Sequence, residues 1–409
     1  MDQIDTYVAE QWDEEIVPQL IDYIKIPNKS PAFDPDWAEH GYMEQAVTQI
    51  ARWCEGRAIC GLTVEVVRLE GRTPLIYMEV PGQCDQSVLL YGHLDKQPEM
   101  TGWREDLGPW KPVLEDGKLY GRGGADDGYS AFASLVAIEA LQREGLPHGR
   151  AVIIIEACEE SGSYDLPHYI DALAERIGAP DLVVCLDSGC GNYEQLWLTT
   201  SLRGMAAGTL TVEVLREGVH SGDASGIVPS SFRVVRQLLA RIDDVDSGQV
   251  LPESFTAEIP FERVAQAQQA AQVLGDQVYA KFPFVDGMQP ADTNLGELVL
   301  NRTWRAALSV TGADGLPEVG SAGNVLRPGT QIKLSLRLPP TVDADLATAA
   351  LKQLLEADPP YGAAVRFDPI AAGSGWNAPA VASWLADAVE RSSLARFGKS
   401  AVYMGEGGS

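Results

Sequence analysis

The stretch VLLYGHLDKQPEM, residues 88–100, begins as an apolar run and ends among polar side chains. A short apolar run of this kind is typical of a buried strand. Where the chain should turn to solvent, it places His93 and Asp95 two residues apart. A single histidine at a strand end is most simply a hydrogen-bonded structural residue, so the rest of the sequence has to decide whether this one has a chemical role.

Composition favours a globular protein that does not bind polyanions. The chain has 409 residues, of which 45% are hydrophobic, and this length fits one large domain or two domains with separate cores. Its 58 acidic and 31 basic residues give a formal net charge of −27. A charge of this sign repels phosphate backbones and anionic lipid, so we expect no nucleic-acid partner and no membrane partner.

The cysteines and the first residues favour the cytoplasm. The six cysteines contain no CxxC pair and lack the dense spacing of a small secreted scaffold, which favours reduced thiols. The N-terminal stretch MDQIDTYVAEQWDEEIVPQL is acidic and amphipathic, unlike a signal peptide. No apolar run approaches the roughly 20 residues that span a bilayer.

Alternating helical and strand patterns in the first half predict an α/β fold. Apolar residues at helical spacing predict helices over about 6–25 and 42–60, and a third in AFASLVAIEALQREG, residues 131–145. Strands are predicted at 62–68, 74–80, 87–92, 151–157 and 181–187. We therefore expect a mixed, mostly parallel sheet flanked by helices, with ligands beyond the carboxyl ends of its strands.

The pattern changes near residue 199, where strands begin to alternate apolar and polar residues. Further alternating strands are predicted in TWRAALSVTG, residues 303–312, and TQIKLSLRLPP, residues 330–340, with helices over about 229–242 and 343–356. After about residue 374 a long helix and a strand-like SAVYM follow. We predict a catalytic domain of residues 1–198 and 374–409, interrupted by an inserted α+β lid and dimerisation domain of residues 199–373.

Four stretches with histidine or carboxylate side chains fall at or just beyond predicted strand ends. They are GHLD (His93, Asp95), GRGGADDG (Asp126, Asp127), EACEESGS (Glu159, Glu160) and CLDSG (Asp187). Each is weak evidence singly, because EE is often a solvated loop and DD a turn. Together they would place many carboxylates in one crevice, where repulsion and desolvation are costly unless a divalent cation is bound. This inventory matches a site for two metal ions with a bridging carboxylate and a free one to carry protons.

These motifs resemble the dinuclear metallopeptidase superfamily of aminoacylase, carboxypeptidase G, desuccinylase and carnosinase. The stretches GHLDKQPE, LYGRGGADDG, EACEESGS and GVHSG are most similar to its carnosinase and nonspecific dipeptidase branch. The resemblance implies that His93, Asp126 and Asp187 hold one metal, and that Asp126 bridges to a second metal held also by Glu160. It implies two zinc ions, with Mn(II) or Co(II) as alternatives for an oxygen-rich site.

The resemblance also assigns the residues around the metals. Asp95 would orient His93, Glu159 would be the general base, and the peptide bond between Asp126 and Asp127 would be cis. The remaining histidines His40, His148 and His168 match no family motif, so we interpret them as non-ligands.

Further residues resemble the family's substrate-binding groups. His220 resembles a lid histidine that stabilises the oxyanion in a neighbouring subunit's site, which implies a homodimer. Arg337 resembles an arginine that pairs with a substrate carboxylate, for which a planar two-pronged donor is suited. Structural alternatives for these two are a turn histidine and a surface strand arginine. The final stretch YMGEGGS resembles a substrate-binding glycine loop, with Glu406, Gly408 and Ser409 at the matching positions.

The sequence departs from the family pattern at several places. Trp304 and Ala306 replace its usual proline-rich, threonine-containing form, and Tyr129 follows the GADDG loop. In relatives a helix and a strand follow the glycine loop and carry the last histidine ligand of the second metal, which no residue here matches. We favour a fragment of a longer chain over a natural protein with an impaired second site.

The leading hypothesis is therefore a metal-dependent hydrolase that cleaves dipeptides or short peptides. In it Glu159 transfers a proton from a metal-activated water to the leaving amine. An N-acyl amino acid deacylase or desuccinylase of the same superfamily is the alternative. A third hypothesis is a binding protein that retains the fold but not turnover.

Overall fold

The computed structural model describes residues 3–408, and its contacts divide the chain into two compact units, Met1–Ser188 and Gly189–Ser409. The elements of the first unit are α1 (Gln3–Gln11), α2 (Val17–Ile24), α3 (Trp37–His40), α4 (Tyr42–Glu55), β1 (Thr63–Val67), β2 (Leu75–Val80), β3 (Ser87–His93), β4 (Val113–Glu115), β5 (Lys118–Tyr120), α5 (Ser130–Arg143), β6 (Arg150–Glu156), α6 (Leu166–Ile177) and β7 (Leu182–Cys185). Short π-helical turns occupy Trp12–Ile16 and Gly124–Gly128, and a 3₁₀ turn occupies Glu159–Ser161. The helices and strands predicted for this half are confirmed to within a few residues at their ends.

The first unit is built on a five-stranded mixed sheet in the order β1-β2-β6-β3-β7. The β1–β2 and β2–β6 pairings are antiparallel, whereas β6–β3 and β3–β7 are parallel. The predicted mixed sheet is confirmed, although its parallel part is limited to β6, β3 and β7. The carboxyl ends of those three strands lie side by side at one edge of the sheet.

Both faces of this sheet are covered by helices. Because successive side chains on a strand point to opposite faces, β2 and β6 bury almost every residue. One face packs against α1, α2, α4 and α5, and the other packs against α6. The core of the first unit therefore lies on both sides of the sheet, as predicted for an α/β fold.

The second unit contains the elements β8 (Trp197–Leu202), β9 (Gly204–Glu213), β10 (Val219–His220), α7 (Ser221–Ala224), α8 (Ser231–Leu239), α9 (Phe261–Leu274), α10 (Gln277–Ala280), α11 (Leu295–Thr303), β11 (Ala307–Asp314), β12 (Val325–Leu326), β13 (Gly329–Leu338), α12 (Ala344–Glu356), β14 (Ala364–Gly373), β15 (Trp376–Asn377), α13 (Ser383–Phe397) and β16 (Val402–Glu406). An antiparallel sheet in the order β11-β13-β9-β14 packs against α8 and α12. Side chains of β13 alternate between buried and less buried positions, which confirms the one-sided sheet predicted here.

A separate hydrophobic core in the second unit joins α9, α10 and α11 to β16. Strand β16 runs parallel to β8, which also pairs with β15. Neither these three helices nor β14 was predicted from the sequence. The predicted boundaries at 198/199 and 373/374 differ from the division at Ser188, and the inserted domain remains a proposal. Within residues 3–408, no helix is both long and apolar enough to span a bilayer.

Candidate metal centre

His93 ends strand β3 with its side chain fully buried and three carboxylates around its outer ring nitrogen. Its Nε2 lies 3.2 Å from Oδ1 of Asp126, 3.5 Å from Oδ2 of Asp187 and 3.9 Å from Oε2 of Glu159. Two sets of side chains could each hold an ion: His93 with Glu159 and Asp187, and His93 with Asp126 and Glu160. The five residues proposed from sequence as ligands or base are thus brought together.

The topology of the first unit explains this convergence. His93 ends β3, the turn carrying Glu159 and Glu160 follows β6, and Asp187 follows β7. Because these strands are parallel neighbours, their carboxyl ends meet at one edge. Asp126 reaches the same edge from the π-helical turn before α5, and its peptide bond to Asp127 is cis, as expected.

Asp95 connects the histidine to the glutamate turn. Its carboxylate accepts hydrogen bonds from the backbone N–H groups of Glu159, at 3.1 Å, and Glu160, at 3.0 Å. The closest acceptor to Nδ1 of His93 is the backbone carbonyl of Asp95, at 3.1 Å, whereas the Asp95 carboxylate lies 3.5 Å away. The backbone of Asp95 therefore contributes to orienting the ring, and its carboxylate also positions both glutamates.

The surroundings of His93 fit a cation at this place. With an ion bound, a proton on Nδ1 would satisfy the Asp95 carbonyl and the lone pair of Nε2 would face the ion. Nε2 is buried and has no hydrogen-bond partner among residues 3–408. The carboxylate oxygens gathered around it repel one another, and a divalent cation bound between them would remove that repulsion. The residues present therefore fit a metal site.

Burial perturbs the carboxyl groups of the site. It raises the pKa of Glu159 to about 7 and the pKa of Glu160 to about 7, even though the Gln97 amide donates a hydrogen bond to Glu160. The adjacent His93 ring lowers the pKa of Asp126. Environments that give neighbouring carboxyl groups different pKa values are typical of catalytic sites.

Two polar residues next to the site were not assigned from sequence. Asp127 is fully buried, its Oδ2 accepts the backbone N–H of His93 at 3.2 Å, and burial raises its pKa to about 7. Gln97 donates to Glu160. Both belong to motifs quoted above, GRGGADDG and GHLDKQPE, but their side-chain types alone give no sign of which neighbour they contact.

Gly92 allows strand β3 to approach helix α5 closely. A Cβ built on Gly92 would lie 2.6 Å from Oδ2 of Asp127 and would also clash with Ser130, at the start of α5. Such distances lie inside van der Waals contact. The missing side chain therefore fixes the spacing between the segment that carries His93 and the segment that carries Asp126.

Residues 23–28 hold the loop after β3 in place through hydrogen bonds. The carbonyl of Leu94 accepts hydrogen bonds from the Tyr23 hydroxyl, at 2.5 Å, and from the Asn28 amide, at 2.6 Å. The fully buried Lys96 donates from Nζ to the carbonyls of Tyr23 and Ile26, each at 2.8 Å. The segment that carries His93 and Asp95 is thus held to residues 23–28 by four hydrogen bonds.

The three histidines interpreted as non-ligands have other surroundings. His40 pairs with Asp34 at 2.9 Å, and His148 is buried against Gln142 and the carbonyl of Gly149. His168 is exposed on α6. Tyr129, noted as a departure from the family, donates its hydroxyl to the carbonyl of Leu186 at 2.6 Å, next to Asp187.

The proposed substrate-binding residues lie in the second unit. Three of them, Arg337, Glu406 and Gly408, lie close together. A Cβ built on Gly408 would lie 2.7 Å from Nη1 of Arg337, and Glu406 precedes Gly408 by two residues. His220 is exposed at the end of β10. Ser409 lies outside the described residues. Trp304 is buried in the core of α9–α11, so this departure from the family lies at a core position.

In protein freed of metal by a chelator, the free energy of unfolding should fall as the pH rises from about 5 to about 8. Glu159 and Glu160, with pKa values raised to about 7, hold protons in the folded state that they release in the unfolded state, where the ordinary value is about 4.3. For these two groups, the free energy of unfolding is therefore highest at the acidic end of this pH range, and it falls as the pH rises through 7. Metal competes with these protons, so the difference in Tm between metal-loaded and chelated protein should widen with pH.

Thermal unfolding scans with and without chelator across this pH range measure the effect. The double variant Glu159→Gln, Glu160→Gln should flatten the chelated curve. Parallel curves for loaded and chelated protein would contradict the assignment of these carboxyl groups to the metal centre.

Comparison with known proteins gives consistent matches. The model for "Peptidase family M20/M25/M40" matches residues 89–408. The cysteinylglycine-S-conjugate dipeptidase of Corynebacterium striatum is 27% identical over 343 residues, which are 80% of this chain and 71% of that enzyme. The Beta-Ala-His dipeptidase of Rattus norvegicus is 29% identical over 293 residues, which are 69% of this chain but only 58% of that enzyme.

Solved structures agree on the fold. Human carnosine dipeptidase 1 superposes with a TM-score of 0.72 at 21% identity, covering 99% of this chain and 87% of that chain. An M20 family metallo-carboxypeptidase from Sulfolobus solfataricus gives a TM-score of 0.71 at 18% identity, covering 97% of this chain and 87% of that chain. At these identities the two structures establish a shared fold.

Proposed function

This chain belongs to peptidase family M20/M25/M40 and is a metallopeptidase, and from that premise we propose that it hydrolyses the peptide bond of dipeptides or short peptides. The observation that carries the proposal is the buried Nε2 of His93, which faces carboxylates from three separate segments. The dipeptidases to which the chain is similar supply the substrate class.

The proposed cofactor is a pair of divalent ions, zinc first, with manganese or cobalt as alternatives. His93, Asp126 and Asp187 would hold one ion, while Asp126 and Glu160 would hold the other. When bound, such ions acidify water toward neutral pH and polarise the scissile carbonyl. Among residues 3–408, this assignment gives the second ion no histidine of its own, so its affinity should be the lower of the two.

Glu159 is the proposed general base. It would accept a proton from the attacking water and deliver it to the nitrogen of the leaving amine. A carboxyl group whose pKa is raised to about 7 by burial is suited to both halves of that transfer near neutral pH. Asp95 would hold Glu159 in place through its backbone N–H.

His220 is the proposed oxyanion donor, acting in the site of a second copy of the chain, which makes a homodimer through the lid domain part of the proposal. Its ring is exposed, and no hydrogen-bond partner engages it among residues 3–408. Gly222 gives it room, since a Cβ there would lie 2.9 Å from Cε1 of His220. A free imidazole on a lid could donate to the developing oxyanion.

The His220→Ala variant should therefore lose about 10²–10³-fold in kcat with unchanged metal content, because removal of one oxyanion donor has effects of that size. Steady-state kinetics and metal analysis measure both quantities, with Val219→Ala as a neighbouring control. Full activity in the variant would rule out the oxyanion role.

Arg337, Glu406, Gly408 and Ser409 are the proposed substrate-binding residues, with Arg337 pairing with the substrate carboxylate. The adjacency of Arg337 and Gly408 supports this grouping. We also propose a cytoplasmic location, for which the six unpaired cysteines are the support.

Deacylation of N-acyl amino acids is the alternative function, and a binding protein without turnover is the third. Assays of dipeptides and of N-acyl amino acids, each with and without added Zn(II) or Mn(II), separate them. Faster metal-dependent hydrolysis of dipeptides supports the proposal, and faster hydrolysis of N-acyl substrates supports the alternative. Absence of both activities in metal-loaded protein would favour the binding protein.

A further inference from the structure

Three arginines of the second unit meet at the glycine loop of residues 405–408. We call Arg203, Arg302 and Arg337 the arginine cluster. A Cβ built on Gly407 would lie 3.3 Å from Cγ of Arg302 and 3.6 Å from Nη2 of Arg203, and one on Gly408 would lie 2.7 Å from Nη1 of Arg337. The three come from β8–β9, α11 and β13, so the fold brings them together from distant parts of the sequence.

Arg203 has a structural task within the cluster. It is 8% exposed, and its guanidinium donates to the carbonyls of Gly407, at 3.0 Å, and of Asn301 and Arg305, each at 3.1 Å. These bonds tie the glycine loop to the end of α11. Burial, followed by the charges of Arg337 and Arg302, lowers its pKa to about 10.

Arg302 and Arg337 have no such task. Among residues 3–408, neither arginine forms an ion pair. The Nη2 atom of Arg302 lies 3.3 Å from Sδ of Met404, and its Nε is buried without a hydrogen-bond partner in that range. Glu406 is the nearby carboxylate, and Lys281 adds a further positive charge that acts on it. Positive charge is thus in excess here, in a chain whose formal net charge is −27.

We infer that Arg302 and Arg337 bind two carboxylates of one substrate, a peptide whose carboxyl-terminal residue is aspartate or glutamate. Arg337 pairs with the terminal carboxylate, as in the proposed function on which this inference rests, and Arg302 pairs with the acidic side chain. A half-buried guanidinium without a partner is costly, and a carboxylate in bidentate geometry is its best match. The absent side chain at Gly408 leaves the face of Arg337 open to such a ligand.

The experiment compares Ala-Asp with Ala-Asn, and Ala-Glu with Ala-Gln, on the metal-loaded full chain. These pairs differ in charge and hardly in shape. We expect kcat/KM for the acidic peptide to exceed that for its amide by about tenfold or more, since one charge-assisted hydrogen bond in place of a neutral one has that effect. In Arg302→Gln the ratio should fall toward one, because kcat/KM for the acidic peptide falls by more than kcat/KM for its amide.

Arg305→Gln is the matched control, because Arg305 lies near the end of the same helix but its side chain pairs with Glu297 at 2.7 Å. It should keep the wild-type preference. Arg302→Lys, which retains charge without the two-pronged geometry, should keep part of the preference and serves if the glutamine variant does not fold.

Equal kcat/KM for acidic and amide peptides in wild type would overturn the inference and leave the proposed function standing. If neither peptide is hydrolysed, the proposed function fails, and calorimetric binding of free aspartate and asparagine then tests the site alone. Tighter binding of aspartate that is lost in Arg302→Gln supports the inference, and equal binding of both amino acids overturns it.

Discussion

Glu159→Ala should abolish measurable dipeptide hydrolysis, lowering kcat by about 10³-fold or more, while metal content stays near that of wild type. General acid–base groups contribute about 10²–10⁴-fold, and Glu159 is proposed to act both as base toward water and as acid toward the leaving amine. Asp95 accepts hydrogen bonds from the backbone N–H groups of both Glu159 and Glu160, so loss of the Glu159 side chain should leave Glu160 in place.

Kinetics and metal analysis by mass spectrometry, done on the same preparation, measure the two quantities. Glu175→Ala is the matched control, because Glu175 is an exposed glutamate on α6. The geometry makes the outcome informative, since Glu159 also belongs to a set of side chains that could hold an ion with His93 and Asp187. Loss of metal together with activity would show that Glu159 is a ligand.

His93→Ala should remove the ion proposed to be held by His93, Asp126 and Asp187, and with it all activity. Among residues 3–408, no other histidine belongs to a candidate ligand set, so this ion would have no nitrogen ligand left. Loss of outer-shell partners alone weakens metal affinity by about 10–100-fold, so loss of a direct ligand should exceed about a hundredfold. The measurement is metal stoichiometry after dialysis against buffered metal, with circular dichroism to verify folding.

His168→Ala is the control for His93→Ala, because it removes an exposed histidine of the same unit. It should retain wild-type metal content. Retention of two tightly bound ions in His93→Ala would mean that both ions are held through carboxylates alone, and the assignment of His93 as a metal ligand would then be wrong.

The first unit could be predicted from sequence because its signals are local and strong. The apolar runs that became β3, β6 and β7 each end within three residues of polar residues of the site, and β6 is buried on both faces. The rule that parallel strands present ligands at their carboxyl ends then joins residues that lie far apart in sequence.

The helices α9 and α11 escaped prediction for physical reasons. Helix α9 buries mainly alanines, together with Arg263, while Phe261 at its start is exposed, so apolar periodicity is weak. Helix α11 carried a usable signal, since Asn294 caps it by accepting the N–H groups of Gly296 and Glu297. Strand β14 is interrupted at Pro369, where its pairing with β9 shifts register.

The contacts of Asp95, Asp127 and Arg302 could not be predicted at all. Each depends on which backbone groups and charges the folded chain brings close, and residue type alone does not specify this. Asp95 binds N–H groups that lie more than sixty residues away in sequence. The grouping of Arg203, Arg302 and Arg337 likewise follows from packing between distant segments.

Gly92 has a consequence for how this protein tolerates mutation. A side chain at position 92 would push apart β3 and the start of α5, which together carry His93 and Asp126. Even alanine should therefore impair both folding and metal binding, although residue 92 contributes no ligand. In a library of single substitutions scored for activity, position 92 should be as intolerant as His93, and a restoring second mutation would be sought at Ser130.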